Sequence, residues 1–242
     1  MHLSNKKIIK LCMVYLLSIV GACTDTVKGG ADNSPRLTLN DTSVIVGKLA
    51  EGGRTESFLG VPFAQPPVGD LRWLPPQPLA KSSAAPQKNE FPAACMQGDH
   101  IAKWYKNVAA GFGGDPDLIK HPEVSEDCLY LNIWRPATEA QSAEMLPVIV
   151  YIHGGSNKGG WSYEPNYIGH NLASKGVIVI SIAYRLGVFG FFSHPTLEHS
   201  NFGLLDQVAA LQWVNENIVA LGGDAEKITV MGESAGANNI DH

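Results

Sequence analysis

Apolar and polar positions change rhythm several times along this chain, and each rhythm predicts a different element. Residues 11–20 are mostly apolar and follow Lys6, Lys7 and Lys10. A basic start before a short apolar run is the layout of a secretory signal. Residues 24–35 (TDTVKGGADNSP) are small and polar and read as a flexible tether. Residues 36–49 (RLTLNDTSVIVGKL) alternate, which predicts a hairpin of two strands. A turn at 51–53 and a short strand at 58–63 follow. Residues 65–78 hold five prolines and are expected to be irregular. Residues 80–125 read as loop-rich with weak helical stretches, and 129–134 as a strand.

The second half is more regular. Residues 146–152 (LPVIVYI) and 177–183 (VIVISIA) are nearly continuous apolar runs, as in buried parallel strands. Leu204, Val208, Leu211, Val214 and Ile218 recur at helical spacing, and that helix is expected to end at Gly222-Gly223. Residues 228–231 predict a third buried strand, with a helix starting at Ala235. Strands alternating with helices give an α/β domain with a mainly parallel sheet, the early hairpin at one edge. No internal repeat interrupts this order.

Composition narrows the class. The chain has 242 residues, enough for one large domain or two small ones. It is 45% hydrophobic and only 17% charged, against roughly 25% charged in an average domain. That excludes a disordered chain. A net charge of −5 without a long basic run argues against a nucleic-acid partner. No run of 18 apolar residues is present to span a membrane as a helix.

Val20-Gly21-Ala22-Cys23 resembles a bacterial lipobox, in which Cys23 is lipidated and becomes the new N-terminus. An ordinary signal peptide cut nearby is the alternative. The organisation expected is a signal at 1–22, a tether at 23–35 and one domain at 36–242. Removing residues 1–22 takes away three lysines and no acid, so the mature net charge goes from −5 to −8. Such a protein is exported. It is held at the periplasmic or outer side of a membrane by its acyl chains, or else is secreted or periplasmic.

Cysteines occur at 12, 23, 95 and 128. With Cys12 in the signal and Cys23 a lipid site, Cys95 and Cys128 remain for an oxidising compartment, where a bridge is the natural reading. Two reduced, buried cysteines are the alternative. A bridge closing about 33 residues stabilises by roughly 3–4 kcal/mol in the chain-entropy picture.

The strongest chemical signal is Gly232-Glu233-Ser234-Ala235-Gly236, a G-x-S-x-G directly after a predicted strand. Such a turn exposes a serine nucleophile, and its glycines avoid clashes where strand passes into helix. A second loop, Ile152-His153-Gly154-Gly155-Ser156, also follows a predicted strand. A glycine-rich loop there can aim backbone N–H groups at a developing oxyanion. His153 on its own reads as structural rather than as a base.

Together these motifs resemble the type-B carboxylesterases, the cholinesterase-like branch of the α/β-hydrolases. The likeness runs from about residue 36 to the end. It rests further on FLGVPFA at 58–64, PPVG at 66–69, Leu71-Arg72, EDCLYLNIW at 126–134, YRLG at 184–187, GLLDQ at 203–207, LQWV at 211–214 and GGD at 222–224. The resemblance implies the N-terminal part of an α/β-hydrolase fold, breaking off just after the nucleophile elbow. It implies Ser234 as nucleophile and the amides of Gly155, Ser156 and Ala235 as oxyanion hole. The family usually has three glycines where this chain has Gly154-Gly155-Ser156. Serine still supplies its N–H, on a less permissive backbone. Cys95 and Cys128 match a disulfide near the gorge. Arg72 with Glu126, and Arg185 with Asp206, match paired structural charges. Leu221 stands where phenylalanine is common. Trp104 does not match the spacing of the choline-binding tryptophan, so choline specificity does not carry over.

In α/β-hydrolases an acid and then a histidine follow the serine. Only Asp241 and His242 are available after Ser234, too close along a helix to return to it. His100, His121, His170, His194 and His199 precede the serine, are expected in loops and carry no motif. The expectation is the N-terminal portion of a longer enzyme, with the triad's acid and histidine beyond residue 242. That enzyme is a carboxylic-ester hydrolase working through an acyl-enzyme, with a small-molecule ester as its partner. The 242-residue chain itself is then inactive. The rival readings are a catalytically inactive cholinesterase-like interaction protein and a non-functional remnant. No metal or organic cofactor is implied, because no Cys/His cluster has ligand spacing and no phosphate-binding fingerprint follows a strand.

Overall fold

In the computed structural model residues 34–50, 52–79, 89–137 and 144–241 are described. The expected signal, Cys23 and most of the tether lie outside the described residues, as do Glu51 and His242.

The alternating segment at the start divides in two. β1 (Arg36–Thr38) and β2 (Val44–Val46) form their own antiparallel pair, which turns Leu37 and Ile45 into the core. β3 (Lys48–Leu49) instead joins the edge of the main sheet. The break is at Gly47, whose backbone crosses Phe58 so closely that a methyl would meet the ring at 2.7 Å. The hairpin is therefore a separate sheet rather than the edge expected from alternation.

β4 (Thr55–Pro62) is longer than the apolar run 58–63 indicates, because Thr55, Glu56 and Ser57 are buried polar residues. An excursion follows, marked by β5 (Ala94–Cys95), α1 (His100–Gly111) and β6 (Val124–Ser125). α1 is a full helix where the sequence pattern is weak. It buries only Ala102 and Tyr105, in a small second core with Ala94 and Trp161. β5 and β6 pair in parallel, and a Cys95–Cys128 disulfide closes the excursion.

The main sheet continues with β7 (Tyr130–Pro136) and β8 (Leu146–Ile152). A short α2 (His170–Ala173), β9 (Ile178–Ile182) and a short α3 (Gly187–Phe191) come next. α4 (Phe202–Asn217), β10 (Gly223–Gly232) and α5 (Ala235–Ile240) complete the described chain. The strand order is β10-β8-β9-β7-β4-β3. The pairs β10–β8 and β8–β9 are parallel, while β9–β7, β7–β4 and β4–β3 are antiparallel. The sheet is mixed, with the parallel half carrying the site.

Two expectations need correction. β10 is not fully buried: among the described residues it pairs only with β8, and Met231 is 41% exposed. Its pairing also loses register between Gly223 and Ile228. α4 ends at Asn217, before the turn that reaches Gly222. It also faces the core with Gly203, Asp206, Gln207, Ala210, Trp213, Val214 and Asn217. Val208, on the expected apolar stripe, is half exposed. The reason is Arg185: its guanidinium is buried beside α4, and Asp206 must face it.

Candidate active site

β8 and β10 are parallel neighbours, and Gly232 lies opposite Ile152. The chain segments leaving both strands therefore emerge side by side. The first carries Gly154, Gly155 and Ser156, and the second Glu233 and Ser234. The Glu233 amide donates to the Ile152 carbonyl at 3.3 Å and ties the two exits together.

Ser234 stands between β10 and α5 at φ 49° and ψ −118°. A side-chain residue there is strained by contact of Cβ with the backbone. The strain survives because the surroundings leave no alternative. A methyl on Gly232 would lie 2.4 Å from the Gly236 carbonyl carbon, and one on Gly236 would lie 2.2 Å from the Ile152 oxygen. The result is a serine exposed to solvent on a tight, fixed corner.

The facing loop is equally constrained. Gly155, Ser156 and Asn157 have φ of 95°, 58° and 57°. Two non-glycine residues in the left-handed region cost roughly 1–2 kcal/mol each. A methyl on Gly155 would lie 2.1 Å from the Gly159 oxygen, and one on Gly154 would lie 3.1 Å from Ser234 Cβ. The amides of Gly155, Ser156 and Ala235 donate to no protein acceptor among the described residues. The structure thus brings Ser234 and Gly155 to one corner, with Ala235 and Ser156 next to them along the chain.

A pocket of about 220 Å³ opens there, lined by Ser234, Gly155, Glu233, Glu164, Trp104 and Tyr105 among others. Glu164 is a feature that sequence patterns do not reveal. It is buried, accepts from the Tyr105 hydroxyl at 2.6 Å and from the Trp161 amide at 3.0 Å. Burial raises its pKa, and the two donors only partly offset this, while the charge on Glu233 pushes the same way as burial. The only hint in the sequence is one acid among Trp161, Tyr163 and Tyr167.

His153 is fully buried, stacked on Tyr184 at 4.5 Å, with Nδ1 2.9 Å from the Gly154 oxygen. Burial pushes its pKa down to about 4, so the ring is neutral at pH 7. His100 and His170 open α1 and α2 rather than lying in loops. His170 bonds Thr55 Oγ1 at 2.8 Å. His194 and Thr196 bond each other on the surface.

Further from the corner, Arg72 binds both oxygens of Glu126, at 2.5 and 2.6 Å. Arg185 binds both oxygens of Asp206, at 2.8 and 2.7 Å, with both residues buried. A third pair, Arg135 with Glu56 at 2.9 Å, is also buried and had no signal in the sequence. No cluster of His, Cys, Asp and Glu suited to a metal occurs among the described residues.

The sequence profile of the carboxylesterase family matches residues 37–242. This chain belongs to the carboxylesterase family. Fumonisin B1 esterase of Sphingopyxis macrogoltabida is 42% identical over 195 residues, covering 78% of this chain and 33% of that protein. Liver carboxylesterase of Sus scrofa is 46% identical over 186 residues, 76% of this chain and 31% of that one. A solved PNB esterase superposes with a TM-score of 0.72 at 36% identity, over 85% of this chain and 39% of its own. The carboxylesterase fold therefore accounts for the mixed sheet and for a serine at the exit of a parallel strand. The chain spans between 31% and 41% of the length of these curated relatives and of the other carboxylesterases and lipase it resembles.

Proposed function

We propose that this chain carries the nucleophile and the oxyanion hole of an exported carboxylic-ester hydrolase. One observation supports the reading: a strained, exposed Ser234 lines one pocket with Gly155, and the amides of Gly155 and of the chain neighbours Ser156 and Ala235 have no protein acceptor among the described residues. In this reading the three amides converge on one point, where fixed backbone donors stabilise a developing negative charge without reorganising.

In this reading Ser234 Oγ attacks the ester carbonyl carbon while its proton passes to a general base. The amides of Gly155, Ser156 and Ala235 hold the tetrahedral oxyanion. Its collapse breaks the bond to the alcohol, which leaves with the proton. Water then repeats the sequence on the acyl-enzyme and releases the acid. The base and the acid that orients it follow the nucleophile, in the chain order of α/β-hydrolases. The substrate is a small-molecule ester, received by the pocket beside Trp104 and Tyr105.

The test is Ser234→Ala in the full-length protein with p-nitrophenyl acetate. The expected loss in kcat is at least about 10⁴-fold, as for a lost nucleophile elsewhere. Unchanged turnover overturns the assignment. Export through a lipidated Cys23 belongs to the same proposal. Labelled palmitate should enter the protein in a bacterial host and should not enter the Cys23→Ala variant. Equal labelling of both would remove Cys23 as the anchor.

A further inference from the structure

The proposed oxyanion hole is assembled from two separate elements. Gly155 and Ser156 belong to the loop after β8, and Ala235 opens α5. Donors of this kind work only when their spacing is fixed to within about 0.5 Å. The strand exits are tied at Glu233 and Ile152, but that tie precedes the hole on both segments.

Beyond the hole one further tie exists. Asn239 Nδ2 donates to Asn157 Oδ1 at 3.0 Å, and Asn157 Nδ2 donates back to Asn239 Oδ1 at 3.3 Å. These are the only side-chain hydrogen bonds between the loop and α5 among the described residues. Asn157 directly follows Ser156, and Asn239 lies one helical turn past Ala235. Asn157 is itself anchored from a third direction, because its backbone oxygen accepts from the Gly187 amide at 2.7 Å. Its Oδ1 also lies 3.3 Å from the Tyr184 hydroxyl, whose single proton has the closer His153 oxygen at 2.8 Å. Asparagine suits the position, since it tolerates the left-handed φ of 57° better than most side chains.

Resting on the proposed hydrolase function, we propose that the reciprocal amide pair Asn157–Asn239 sets the spacing between the two halves of the oxyanion hole. Both are positioning residues, since neither touches the ester. Loosening the pair harms the transition state more than the bound substrate, because only the transition state places full charge in the hole.

Asn239→Ala in the full-length protein is the cleanest variant, because alanine favours the helix and leaves the backbone unstrained. Asn157→Gly is the second, because glycine accepts the positive φ. With p-nitrophenyl acetate each single variant should lower kcat about tenfold and leave KM within twofold. Affinity for a trifluoromethyl ketone, which fills the hole as an oxyanion, should fall in proportion to kcat. The double variant should be no slower than the slower single one. A kcat within twofold of the parent in both singles overturns the proposal, as does a multiplicative loss in the double variant. A parallel rise in KM with kcat unchanged also overturns it. Ser234→Ala separates the two layers. If it leaves turnover intact, the hydrolase reading fails. If it abolishes turnover while the asparagine variants match the parent, only the clamp fails.

Discussion

Ser234 is tolerable in its backbone conformation because the residues around it have no room for side chains. Gly236→Ala would place a methyl 2.2 Å from the Ile152 oxygen, a backbone atom that cannot step aside. The expected cost is about 3 kcal/mol or more, at the upper end for overpacking, measured as a fall in the urea midpoint. Glu164 carries a second prediction at this scale. Its pKa is raised by burial, so the unfolded state ionises first as pH rises. Stability linked to Glu164 is whole below the unfolded pKa, about 4.3, and is lost as pH climbs through the folded value. Glu164→Gln keeps an acceptor for Tyr105 and removes the titration. Its melting temperature should gain on the parent as pH rises above about 4.3, and a pH-independent difference would contradict the argument. The elbow was legible in the sequence because its chemistry is local: five consecutive residues state it. Glu164, Asn157 and Asn239 were not, because their partners lie 59 and 82 positions away.

The elements show where pattern reading succeeds and where tertiary partners override it. β8 and β9 sit inside the sheet, and the apolar runs 146–152 and 177–183 place them to within one residue at each end. α4 does not obey its own apolar stripe. Asp206 faces inward to receive Arg185, and Asn217 does so to accept from the Asn40 amide at 3.2 Å and donate to the Trp213 oxygen at 2.9 Å. The resemblance to a known family supplied the Arg185–Asp206 pair, whereas periodicity by itself pointed away from it. Asp206→Asn leaves the buried guanidinium with half a partner. It should cost about 3–5 kcal/mol, the range for breaking a buried ion pair, measured by denaturant unfolding. A loss below 1 kcal/mol would mean that α4 is held by apolar contacts alone.

Across the whole molecule, strand–helix alternation pointed to the parallel half of the sheet. The antiparallel half was harder to see, because β4 hides its burial behind Thr55, Glu56 and Ser57. The Cys95–Cys128 bridge closes the excursion that brings Trp104 and Tyr105 to the pocket wall. Cys95→Ala with Cys128→Ala should lower stability by roughly 3–4 kcal/mol. It should also raise KM for p-nitrophenyl acetate more than it lowers kcat, because the wall moves and the serine does not. The pairing of β10 with β8 bears on how this chain can change length. From Gly223 to Ile228 β10 advances five residues while β8 advances two, from Leu146 to Val148. Residues 224–227 are slack, and 228–232 are a ruler. One residue inserted in the slack would be absorbed with Ser234 left in place. One inserted between Thr229 and Val230 would carry the serine about 3.3 Å along the strand, or turn the rest of the strand over.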